Sequence, residues 1–332
     1  MRAVLVSIVV SATALADPIA TPIALALPGG GSGIGFDDLM FAPSLHRVLA
    51  PGGGTGALDL IDPATKRIES VAGFSAQTTA FGGGHGDGTT SADAGAGVIF
   101  ASDRGRDEVA IVDPKALKIV GRVKLAGGPD YVRWIDPVHE LWITEPRAQQ
   151  IEYFTFAKGT LVHAGAIDVP GGPEALAIDA ARGRAYSNTW TDATVAIDLA
   201  THREVARWSN GCKGARGLAL DATHGLVFVG CEEGKAVALD VAHGGKPVGS
   251  LTTGAGVDII AYNPALGHLY VPGGDSATLT IIRVAGNGVL TLLGSVATAT
   301  DAHCVATDDA NHAYVCDPKR GVLLVVTDPF PR

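Results

Sequence analysis

Apolar residues occur along this chain in short runs, each closed by a turn residue, and the runs return at a near-constant distance. One run ends in aspartate: LDLID at Asp62, VAIVD at Asp113, TVAID at Asp198, AVALD at Asp240 and LLVVTD at Asp328. Two looser copies, IEYFT and LTIIR, end at Thr155 and Arg283. Successive anchors stand 42 to 51 residues apart, which makes seven copies. Before most anchors lies an apolar run closed by Asp, Pro or a turn: DLMFAP, YVRWIDP, ALAIDA, GLALDA, IIAYNP, CVATDD. A second run, rich in aromatic and β-branched residues, follows it: HRVLAP, GVIFAS, ELWITEP, RAYSNTW, GLVFVGC, HLYVPGG, HAYVCDP. After the anchor comes a further run, as in KIVGRVKLAGGP. Short alternating runs with turn punctuation predict strands, and beyond the first residues no stretch has a convincing helical period. Four strands per unit and seven units predict an all-β, seven-bladed β-propeller with four-stranded blades.

The last unit lacks its fourth strand, because the chain stops at Arg332 soon after the Asp328 anchor. The segment from Pro22 to Gly30, PIALALPGG, matches the fourth-strand pattern of VGRVKLAGGP and GAIDVPGGP. The N-terminal strand is therefore expected to complete the last blade and cover its open edge.

At this point there is a family resemblance. The ends of the second strands read Trp142-Ile143-Thr144-Glu145, Tyr186-Ser187-Asn188, Tyr270-Val271-Pro272-Gly273 and Tyr314-Val315-Cys316-Asp317. These resemble the tetrapeptide of the YVTN-type, or YncE-like, propellers. The resemblance implies an exported propeller, in a family whose enzymatic activity is usually undefined. The WD40 pattern fits less well, since Trp190 is followed by Thr191 and the glycine-histidine signature is missing.

Composition adds location. Residues 1–16 carry Arg2, a short apolar stretch and Ala14-Leu15-Ala16, the layout of a secretory signal peptide. The apolar stretch falls short of the roughly 20 residues a membrane span needs. Residues 17–332 are expected to form the single propeller domain, periplasmic or secreted and monomeric. A formal charge of −9 argues against nucleic acid as the main partner. Of the four cysteines, Cys212 opens and Cys231 closes the first two strands of the fifth blade. Cys304 and Cys316 repeat that placement in the seventh. An even count in an exported chain predicts the disulfides Cys212–Cys231 and Cys304–Cys316.

Candidate chemistry comes from the mouths of the first strands. One position per blade falls there: Asp37, Gly88, Tyr131, Glu174, Arg216, Asp258 and His303, with Asp38, Asp87 and Asp130 beside them. The turns from one blade's last strand to the next blade's first ring the channel on one face, so these residues should converge. Most blades use 18 to 20 residues between anchor and rim position, and the second uses 26, from Asp62 to Gly88. The excess holds Phe81-Gly82-Gly83-Gly84-His85-Gly86-Asp87, a loop placed to reach over the rim. The remaining histidines, at 46, 139, 163, 202, 224, 243, 268 and 312, read as solvated turn or outer-strand residues.

Two functions follow. The first is binding of a small ligand or a periplasmic protein on the funnel face, through Asp37, Asp87, Tyr131, Glu174, Arg216, Asp258 and His303. The second is a metal-dependent hydrolase or lyase, lactonase-like by analogy, with a divalent metal held by His85, His303, Asp258 and Glu174. Arg216, basic among acidic neighbours, would orient a carboxylate or balance charge.

Overall fold

In a computed structural model of the chain, residues 19–77 and 81–332 are described. The expected signal peptide lies outside them. Seven four-stranded antiparallel sheets form the blades of a propeller, with no α-helix among the described residues. Nor is any helix there long and apolar enough to cross a membrane.

Blades one to six each run in chain order from the innermost strand outward, starting at Met40–Ala42, Ala92–Gly95, Val132–Ile135, Ala177–Asp179, Ala215–Asp221 and Ala261–Asn263. The seventh starts at Val305–Thr307, continues through His312–Asp317 and Val322–Thr327, and is finished by Ile23–Ala26. Ile23 pairs with Val325 and Ala26 with Val322, antiparallel. Just beyond, the amide of Leu27 donates to the carbonyl of Gly321 at 3.3 Å. The contact is close: a Cβ on Gly30 would stand 2.4 Å from the oxygen of Gly321, so glycine is required for the backbones to approach.

Each blade buries both faces of its middle strands. The second strands Glu140–Glu145, Leu226–Cys231 and His268–Gly273 are buried at every position, which explains their near-continuous apolar character. The tetrapeptide aromatics Trp142, Tyr186, Tyr270 and Tyr314 are all fully buried. Three of their polar tips find partners inside: Trp142 donates to Glu140 at 2.8 Å, Tyr270 to Asp328 at 2.5 Å and Tyr314 to Asp308 at 3.3 Å. His268 corrects the solvated reading. It is fully buried, with Nδ1 2.8 Å from Asp328 Oδ2. Burial pushes the Asp328 carboxyl up, and the hydrogen bonds from His268 and Tyr270 more than offset this and hold it below its usual range.

Both disulfides are present, Cys212–Cys231 and Cys304–Cys316, with Cα–Cα distances of 5.3 and 5.5 Å. Each ties the entry of a first strand to the end of the second beside it. Two such bonds are compatible with an oxidising compartment.

Candidate functional site

In a four-stranded blade, the turn between strands two and three lies on the same face as the connection to the next blade. The funnel therefore receives two sets of residues. The first set is the row of strand mouths: Asp37, Asp130, Tyr131, Glu174, Arg216 and Asp258. The second follows the second strands: Arg104, Arg147 and Trp190. Together with His85 and Gly86 they line a cavity of about 680 Å³.

Of the expected ligand-binding residues, five line this cavity: Asp37, Tyr131, Glu174, Arg216 and Asp258. His303 lies next to it, in a side groove of about 480 Å³ formed with Phe81 to His85, Asp258, Asp275, Asp301 and Lys319. Asp87 is exposed on its loop and lines neither space. Gly88, the second blade's rim position, is buried and serves the backbone: its amide donates to Ser75 Oγ at 3.0 Å and its carbonyl accepts from Arg104 at 2.8 Å.

Arg216 is therefore not the sole arginine of an acidic ring. It donates to Glu174 at 3.0 Å and to Glu232 at 2.7 Å, spanning two blades. The indole of Trp190 donates to the other oxygen of Glu174. Burial raises the Glu174 carboxyl to about 7, with Asp130 and Asp258 adding to the rise and Trp190 and Arg216 working against it. Arg104 holds a second cluster. Its Nε donates to the Pro129 carbonyl at 2.8 Å, its guanidinium pairs with Asp130, and it lies 3.5 Å from Asp37 Oδ2. Asp37 and Asp130 are nearly inaccessible, at 4% and 8% exposure. Burial pushes Asp37 up to about 8, against the pull of Arg104, while Asp258 and Asp38 add to the rise. Asp130 is raised well above its ordinary value by burial and by Asp37 beside it. The Oδ2 of Asp37 has no hydrogen-bond partner.

Deeper in the channel, Asp38 takes both guanidinium nitrogens of Arg133, at 2.6 and 2.9 Å, and the hydroxyl of Ser91 at 2.6 Å. Arg133 also donates to the Leu176 carbonyl at 3.1 Å, so one buried pair pins four blades around the axis. Tyr131, over which Arg133 lies at 5.2 Å, borders both the funnel cavity and a more apolar one of about 450 Å³ at the other end of the channel.

The expected metal ligands divide. One ligand atom each from His85, Asp258 and His303 lies within 4.8 Å of the others. Glu174 is outside that group, engaged by Arg216 and Trp190. His303 also lies near Cys304 and Cys316, but those sulfurs are bonded to each other.

Arg104, Arg147 and Trp190 were legible by a count that starts from the end of the second strand instead of the start of the first. Each falls just after it: Val98–Asp103, Glu140–Glu145, Arg184–Asn188.

No protein-family model matches the sequence, and no curated protein matches it. Solved structures do resemble the fold. A chain of a mitotic checkpoint complex crystal structure superposes with a TM-score of 0.75 over 98% of this chain and 99% of that one, at 13% identity. A chain of the hydrazine synthase of Kuenenia stuttgartiensis gives 0.72 over 89% and 96%, also at 13% identity. At such identity the likeness shows the seven-bladed architecture alone.

Proposed function

We propose that the protein is an exported, YVTN-type propeller that binds a small polar molecule in its funnel. The carrying observation is the 680 Å³ cavity, walled by charged groups from several blades, with one buried carboxylate oxygen, Asp37 Oδ2, that Arg104 approaches at 3.5 Å but no donor hydrogen-bonds. A buried polar atom without a partner costs free energy, and a ligand donor would recover it. Arg104, Arg216 and Arg147 stand against Asp37, Asp130, Glu174 and Asp258, so the walls offer both signs of charge. This favours a neutral polyhydroxy compound or a zwitterion over a strongly charged ion. Trp190, 39% exposed and held by Glu174, supplies an apolar face at the entrance.

The test is ligand retrieval. Native mass spectrometry of the purified protein, followed by thermal-shift screening of sugars, amino acids and betaines, should yield a compound whose binding is weakened at least tenfold by Trp190→Ala. A compound that binds equally well to Trp190→Ala and Arg216→Ala would place the ligand elsewhere and overturn the reading. A second reading, a metal-dependent hydrolase or lyase, draws on the grouping of His85, Asp258 and His303. It requires hydrolytic turnover of lactones or esters that is lost on metal removal.

A further inference from the structure

Three connections bring the wall between the funnel cavity and the side groove together. His85 comes from the glycine-rich insert before the second blade, Asp258 from the connection before the sixth, and His303 from the connection before the seventh. The insert is clamped onto the segment leading into the first blade. A Cβ on Gly35 would stand 2.7 Å from the carbonyl oxygen of Gly84, and one on Gly33 would stand 2.7 Å from the ring of Phe81. His85 is thus carried by a backbone pressed against its neighbour, a placement that depends on those glycines.

The two imidazoles meet edge to face, with ring centres 5.4 Å apart. His85 Nδ1 is 2.8 Å and His303 Nε2 is 3.1 Å from one backbone oxygen, that of Phe36. His303 Nδ1 is 2.6 Å from the carbonyl oxygen of Asp301. His85 uses only Nδ1 in this way, the arrangement that supports a metal-binding histidine, whereas both nitrogens of His303 face carbonyls, so an ion would take its Nε2 in place of the Phe36 oxygen. The acidic partners are lightly engaged, Asp258 being partly open to solvent. The Asp258 side chain takes part in no hydrogen bond or ion pair found among the described residues. Asp37 Oδ2, with the residue 4% exposed, has no hydrogen-bond partner and stands 3.6 Å from His85 Nδ1. Two imidazoles and two carboxylates converge here, and Arg104 reaches Asp37 Oδ2 at 3.5 Å but forms no ion pair with Asp258 among the described residues.

We propose that His85, Asp258 and His303 bind one divalent transition-metal ion, with Asp37 as a nearby carboxylate able to join or support it. Two imidazole ligands select zinc, cobalt, nickel, manganese or iron over calcium and magnesium, which take oxygen ligands. His85 and Asp258 border both cavities, so an ion here would have open positions and a route in. The proposal rests on the same grouping as the metal-dependent reading above and shares Asp37 with the ligand reading, and the two are distinguishable because metal stoichiometry is measured without any ligand or substrate.

The test uses the full mature chain, stripped with chelator, dialysed and titrated with Co²⁺ and Zn²⁺ alone. Expected is one equivalent bound per chain by elemental analysis, with visible Co²⁺ absorption bands that Zn²⁺ bleaches. His85→Ala, His303→Ala and Asp258→Asn should each weaken binding more than tenfold, while Glu174→Gln leaves it unchanged and millimolar Ca²⁺ does not compete. His85 is half-exposed on a loop, so its variant should keep the parent's circular dichroism and melting curve even if one of the others does not. Less than a tenth of an equivalent bound, or binding that all three substitutions leave intact, would overturn the proposal. Either result would leave the funnel ligand untouched.

Discussion

A buried carboxylate with too few donors is the recurring local motif of this molecule, and Asp59 is its simplest case. It is fully buried in the strand Ala57–Ile61, with Oδ1 2.5 Å from Ser70 Oγ and Oδ2 unpartnered. Burial raises its carboxyl to about 6, more than the Ser70 hydrogen bond lowers it. A folded-state value above the unfolded one means that the native protein holds the proton more tightly. The associated stability is complete below about pH 4 and lost as pH rises through 6. Asp59→Asn removes the ionising group while keeping the shape. We expect it to raise stability at pH 8 by an amount on the order of 1–2 kcal/mol, read as a higher Tm, and to change little at about pH 3.5. Equal effects at both pH values would show that Asp59 is not the titrating group. At this scale the sequence was readable where chemistry repeats and unreadable where partners are distant. Rim residues such as Glu174 and Asp258 stood out because a charge at the mouth of an apolar run is unusual. His268 misled because its partner, Asp328, lies 60 residues on in the chain and nothing local announces it.

Blades and their staples are the next scale. The Cys212–Cys231 bond spans 19 residues and Cys304–Cys316 spans 12. Replacing Cys212 and Cys231 together by serine should cost about 3 kcal/mol, read as a lower thermal midpoint under non-reducing conditions. Under reducing conditions the gap between that variant and the parent should narrow. The closing strand Ile23–Ala26 carries more than its length suggests, since it covers the edge of Val322–Thr327. A chain that begins after Gly35 should show a lower midpoint and form oligomers on size exclusion, because the bare edge is free to pair with another molecule. A monomer of unchanged midpoint would mean that the other six blades hold the ring shut. Most strands were legible because they are apolar runs between turns. Ala92–Gly95 was not: its sequence is ADAG, and it is held by pairing with Val98–Asp103 and by Asp93, which accepts from the Trp134 amide at 2.8 Å. Small residues leave no hydrophobic trace, so only the repeat count implied that a strand was there.

For the whole molecule, the same sign of carboxylate shift recurs in separate places. Glu145, fully buried beside Glu152, is raised to about 7 by burial, with Glu152 adding to the rise and Gln150 opposing it. Glu174 is raised to about 7 and Asp59 to about 6. Each group makes the native state bind protons more tightly than the unfolded one, so each loses its contribution between about pH 4 and 7. At about 1–2 kcal/mol apiece, they should place the highest Tm near pH 4 and lower it by several degrees at pH 8. Asp221 and Asp328 are shifted down, so their contribution is lost only as pH falls below about 4. A flat profile from pH 5 to 8 would contradict the burial argument. The architecture was the most legible level of all, since seven spacings averaged out the faults in any one motif. The funnel's contents were less so, because turns from two different places in each repeat share one face, and a count from only one of them finds half of the wall.

The pairing of Ile23 with Val325 also sets an order of events in time. These residues are among the first and last of the propeller to be made, 302 positions apart (325 − 23), so the ring has no means of closing until nearly the whole chain exists. Blades one to six can each gather their strands from consecutive sequence as it appears. The seventh must wait for its opposite end. Its assembly is the step at which long-range loop closure is paid, and refolding should show it as the slowest phase.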